Sequence, residues 1–189
     1  MSELACLLID DFVETHPGLN GWADAMRRAG LRTGIFRGDA RLNLYDRLQT
    51  AYQALRRGGP ATVLGVGAGG AAALALADHL PVSRLALIDV DLKWRGAASR
   101  LTRFASANAA LCVSDVLVIA GDDAERQWRL ARRTLPNARV SGLACLGGCG
   151  KYLQTDCEKA LLKAVTAFLR SGELPKNLAE NGEMCIIYG

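Results

Sequence analysis

Residues 63–77 read VLGVGAGGAAALALA, an apolar strand-like run, a glycine-rich turn and an alanine-rich helical stretch. A strand that feeds a helix through glycines marks an α/β chain, and two chemistries use nearly these letters. Gly65, Gly67 and Gly70 spell G-x-G-x-x-G, the turn that lets a dinucleotide's pyrophosphate approach a helix N-terminus. Gly65, Gly67 and Gly69 equally spell the G-x-S-x-G nucleophile elbow with glycine where the serine should stand.

Outward from this turn, six short apolar runs alternate with helical segments: 5–9, 33–36, 61–66, 84–90, 116–120 and 139–144. Strands apolar on both faces belong in a parallel sheet covered by helices on each side. The predicted fold is a doubly wound, mostly parallel six-stranded sheet in a three-layer α/β/α arrangement, with right-handed crossovers. Leu19, Trp22 and Met26 form a helical apolar stripe that Gly30 can terminate. Residues 44–57, 71–80 and 124–135 predict further helices, and 92–111 a mixed one. Asp156 is an N-cap candidate for a helix over 158–170. One domain spanning 1–171 is expected, followed by a tail, 172–189, in which Gly172, Pro175 and Asn181-Gly182 break the pattern. The closing MCIIYG is apolar enough to dock on the domain or on a second copy, so a homodimer is one possible state.

Composition narrows the function classes. The 189 residues are 50% hydrophobic and 22% charged, ordinary for a globular domain able to bury its own core. No uncharged apolar stretch reaches membrane-spanning length, and the N-terminus lacks the marks of a signal peptide, so a cytoplasmic protein is expected. A net charge of +4 is too modest to argue for nucleic acid. Arg126, Arg129, Arg132 and Arg133 make one basic helix face, read as solvated surface or as a docking site for an acidic partner. Among the six cysteines, Cys145-x3-Cys149-x7-Cys157 fits no zinc spacing, so no metal is expected, and Cys6 and Cys112 read as small hydrophobes.

The loop after the first strand, DDFVETHPGLN, should face the glycine turn at the carboxyl end of the sheet, where ligands bind in doubly wound folds. A dinucleotide reading gains support from Asp89, 24 residues after Gly65, as a ribose ligand. Two complete βα units precede the turn, however, whereas that fingerprint usually sits on the first strand of a nucleotide half.

In motif order the chain resembles the α/β-hydrolase family over 5–170. ACLLIDDF resembles that family's first core strand and oxyanion loop, VLGVGAGGAAALALA its nucleophile elbow and LALIDVD the following strand. VLVIAGDD resembles the strand bearing the triad acid, and ARVSGLACLGGCGKYLQTD the last strand and histidine loop. The resemblance implies triad-equivalent positions at Gly67, at Asp122 or Asp123, and at Lys151. Glycine offers no nucleophile and lysine replaces the imidazole, while Asp10-Asp11 stands where His-Gly would commonly begin the oxyanion hole. Neither His16, in the first loop, nor His79, at the far end of the third helix, sits at the matched position.

Ordinary Ser-His-Asp hydrolysis is therefore not expected. The reading is a degenerate, non-hydrolytic member with an open, lid-poor cleft and no cofactor. Asp10, Asp11, Gly67, Ala68 and Gly69 would line the cleft, and the free N–H groups of the helix N-terminus would take a small anionic ligand or a partner protein. The alternatives are an esterase-like hydrolase with Cys149 as a relocated nucleophile, and an NAD(P)-binding oxidoreductase.

Overall fold

The computed structural model describes residues 4–12, 16–38, 43–56, 59–90, 113–121, 123–145, 158–175 and 184–188. The predicted helix over 92–111 and positions Asp122, Cys149, Lys151 and Asp156 lie outside these. Seven strands and five helices are described: β1 Leu4–Ile9, α1 Leu19–Arg28, β2 Leu31–Phe36, α2 Leu44–Arg56, β3 Ala61–Val66, α3 Ala68–His79 and β4 Val82–Ile88. Then come β5 Asp115–Ala120, α4 Ala124–Thr134, β6 Arg139–Cys145, α5 Glu158–Ser171 and β7 Met184–Tyr188.

The strands form one sheet in the order β2-β1-β3-β4-β5-β6-β7. β1 to β6 are mutually parallel, and the inner strands carry the unbroken apolar runs of strands covered by helices on both faces, while the edge strand β2 is half-buried. Period-two alternation splits the core into two layers. Ala5, Leu7 and Ile9 pack with Leu48, Tyr52, Ala73 and Trp128 beneath α2, α3 and α4. Cys6 and Leu8 pack with Trp22, Met26, Leu161 and Phe168 beneath α1 and α5. Trp22 and Phe168 are fully buried, so truncating either to alanine removes roughly 3–5 kcal/mol.

Two boundaries move from the sequence reading. β2 starts at Leu31, directly after the positive-φ glycine Gly30 that ends α1. β4 runs Val82–Ile88 and stops before Asp89, whose φ of 52° turns the chain out of the sheet. The tail is also more regular than the turn residues imply. Its Met184–Tyr188 segment adds antiparallel to β6, pairing Ala144 with Cys185 and Cys145 with Met184, so this run docks on its own sheet edge.

The end of the sheet opposite the glycine turn is tied by polar contacts. Arg84 donates to the carbonyls of Leu169 (3.1 Å) and Arg170 (3.0 Å) at the end of α5, and Arg139 Nε meets Asp115 Oδ1 at 2.8 Å. On the α4 side, Trp128 Nε1 donates to the Val140 carbonyl at 2.9 Å, with its ring over Gly142. No described helix is long and apolar enough to cross a membrane.

Candidate functional site

In this strand order the winding reverses between β1 and β3, so the loop after β1 and the turn after β3 face each other at the carboxyl end of the sheet. Each glycine of the turn has a steric reason to be there. A Cβ on Gly65 would stand 2.5 Å from the Gly70 Cα, so its absence lets α3 lie against β3. A Cβ on Gly69 would overlap the Ile9 and Asp10 carbonyls, and one on Gly70 the Val90 side chain.

Gly67 differs in kind. Its backbone, at φ 53° and ψ −126°, is the sharp strand-to-helix turn of a nucleophile elbow, a conformation that strains any L side chain. Its N–H donates to the Ile88 carbonyl at 2.9 Å, and its carbonyl accepts the Gly70 N–H at 3.0 Å. A Cβ at 67 would overlap the Asp11 carboxylate, lying 2.7 Å from its Cγ. The turn at Gly67 thus carries no side chain, and the Asp11 carboxylate occupies the space where one would stand.

The two aspartates after β1 divide their work. The Asp10 side chain is completely buried. Its Oδ1 accepts the Asp11 N–H at 2.9 Å, the His16 N–H at 3.1 Å and His16 Nδ1 at 3.1 Å. Oδ2 accepts Arg37 Nε at 3.1 Å, and Arg37 also reaches Asn20 Oδ1 at 3.2 Å. Asp10 therefore organises the loop from within, with its lone pairs directed at the protein's own donors. His16 is held in turn: its ring, 24% exposed, is oriented through Nδ1 by a buried acid. The sequence places His16 in the first loop without a partner role, and the D-x5-H spacing from Asp10 is the available signal.

Three acids from different strand ends approach one another around the turn, with His16 and Arg37 on the side of the first loop. Burial pushes the Asp89 carboxyl above the usual range, with Asp123 and then Asp11 adding to the rise and His16 opposing it. Acids that follow β1, β4 and β5 thus act on one another across the cleft. Beside them Gln127, only 6% exposed, donates through Nε2 to Asp123 Oδ2 at 2.8 Å, while its Oε1 is buried with no donor among the described residues. Sequence reading missed Gln127 and the convergence of Asp89 with Asp11 and Asp123. Among the described residues no His, Cys, Asp or Glu group could hold a metal ion.

The anion expected at the α3 N-terminus would share this region with the chain's own carboxylates. Asp11 lies against the turn, and Asp89 and Asp123 interact with each other, so their charge opposes the positive end of α3 there. The same objection meets a dinucleotide pyrophosphate, and the strand order also departs from the 3-2-1-4-5-6 order of the dinucleotide fold.

The remaining candidates stand apart from the cleft. His79 packs edge-on against Tyr45 of α2, with ring centroids 5.4 Å apart. Cys6 is buried under α1 and α5, where burial pushes its thiol to about 12 against a smaller opposing hydrogen bond from Thr62. Such a thiol is inert as a nucleophile.

No protein-family model and no curated protein matches the chain. Among solved structures it is similar to a thioesterase domain from the curacin biosynthetic pathway, at a TM-score of 0.59 and 13% sequence identity. The alignment covers 89% of this chain and 91% of that one. The chain therefore shares the α/β, hydrolase-like fold of a thioesterase domain, and the likeness is one of fold alone.

Proposed function

We propose that this chain is a degenerate α/β-hydrolase-fold protein that does not hydrolyse esters and instead binds a ligand through a cationic ammonium group. The observation that carries the reading is the Asp11 carboxylate in the space where a side chain at Gly67 would stand. A nucleophile is missing from the elbow, and an acceptor has replaced it. Asp89 and Asp123 add negative charge, and the orphaned Gln127 Oε1 adds a buried acceptor that favours a donor-bearing ligand. The sign of the field favours a cation over the anion that an empty helix N-terminus would attract. A lysine side chain presented by a partner protein carries the same chemistry as a free amine.

The test is a calorimetric titration of the full chain with hexylammonium and with hexanoate at equal ionic strength, beside a p-nitrophenyl ester assay. The expected result is saturable hexylammonium binding, weakened at least tenfold in Asp11→Asn, with ester turnover at background. Hexanoate binding as tightly as hexylammonium would overturn the cationic reading. Ester turnover abolished in Cys149→Ala would overturn the non-hydrolytic reading in favour of a relocated thiol nucleophile.

A further inference from the structure

Helix α4 begins at Asp123 beside the cleft, but its outer face carries the opposite charge. A groove of about 310 Å³ lies there, lined by Glu125, Arg126, Arg129, Leu130 and Arg133. We propose that this groove binds a small phosphate ester, independently of whatever occupies the acidic cleft.

The helix spacing puts the arginines on one side of α4. Residues 126, 129 and 133 follow i, i+3, i+7 and so share one face, where like charges destabilise a bare helix. Arg129 meets Glu125 Oε1 at 2.5 Å, and Arg132 is engaged elsewhere, 5.0 Å from the Trp128 ring centroid. Arg126 and Arg133 line the groove with no ion pair among the described residues. Among the described lining residues, three arginines against one glutamate leave an excess of two positive charges, matching a phosphate monoester near neutral pH.

The chemistry of the lining selects within anions. Planar guanidinium forks pair bidentately with phosphate oxygens, which lysines would not do. The volume is that of a small-molecule site, and Leu130 gives the organic part of the ester an apolar contact. Glu125 competes with the ligand for Arg129, so its carboxylate weakens binding at this place.

The experiment titrates the full chain, in phosphate-free buffer at constant ionic strength, with phenyl phosphate, inorganic phosphate and benzenesulfonate. Wild type should bind phenyl phosphate saturably, more tightly than inorganic phosphate and much more tightly than the monoanionic sulfonate. The exposed double substitution Arg126→Gln with Arg133→Gln should lose at least tenfold in affinity while its melting temperature without ligand holds or rises. Glu125→Gln should tighten binding, a gain that a damaged fold would not produce. Unchanged affinity in the double variant, or no preference for phenyl phosphate over the sulfonate, would overturn the assignment. Binding confined to an acidic polypeptide or a nucleic acid, with no small phosphate bound, would also overturn it.

Discussion

The Asp11 carboxylate lies where a side chain at residue 67 would have to go. Position 67 is therefore closed to side chains twice over, by a backbone at φ 53° and by an occupied neighbouring volume. Gly67→Ser alone should destabilise the protein by roughly 1–3 kcal/mol through strain and overlap, without gaining ester turnover. In an Asp11→Ala background the same change should cost less, leaving a coupling energy on the order of 1 kcal/mol in a double-mutant cycle from urea denaturation. Strictly additive costs would show that Asp11 does not fill the vacated space.

Asp89 should make stability depend on pH in a direction opposite to that of a salt-bridged acid. Its carboxyl titrates above the ordinary value of 3.8 because burial, Asp123 and Asp11 disfavour the charge. Stability linked to this group is fully present below 3.8 and is lost as pH rises through the higher folded-state value. Asp89→Asn should therefore raise the melting temperature at pH 7, with the gain shrinking as pH falls toward 4. Asparagine also tolerates the positive φ at this position. A gain that grew on acidification would refute the assigned field.

Asp10 and Arg37 pair across the first loop, but their substitutions should not cost the same. Asp10 is wholly buried and accepts from both the backbone and the ring of His16, whereas the Arg37 side chain is 41% exposed. Asp10→Asn sets an amide against donors and should cost roughly 3 kcal/mol, since it leaves buried groups unsatisfied. Arg37→Gln, its surroundings open to water, should cost about 1 kcal/mol or less. Equal losses in thermal melts would mean that the loop is held by the ion pair rather than by the buried acceptor.

The C-terminal strand covers the β6 edge. Ending the chain after Pro175 should expose unpaired β6 backbone and drive concentration-dependent self-association, visible in size-exclusion chromatography with light scattering. A truncated chain that remained monomeric across a hundredfold concentration range would show that β7 is not needed to block that edge.

The sheet and its wrapping were legible in the letters because they rest on local rules. Unbroken apolar runs fix parallel strands, Leu19, Trp22 and Met26 fix the buried side of α1, and Gly65 and Gly67 announce the turn whatever it serves. β7 was less legible, since its strand-like run follows turn residues and its pairing with β6 joins segments about 40 residues apart. The site was legible only in part. The absence of a nucleophile at Gly67 is a matter of sequence and needs no coordinates. The approach of Asp11, Asp89 and Asp123 is not, because they follow three different strands and come together only when the sheet is assembled. A helix N-terminus read alone attracts anions, and it took the tertiary structure to bring the chain's own carboxylate to it. Electrostatic energy depends on distance through space, which a sequence does not specify beyond a few turns of helix or strand.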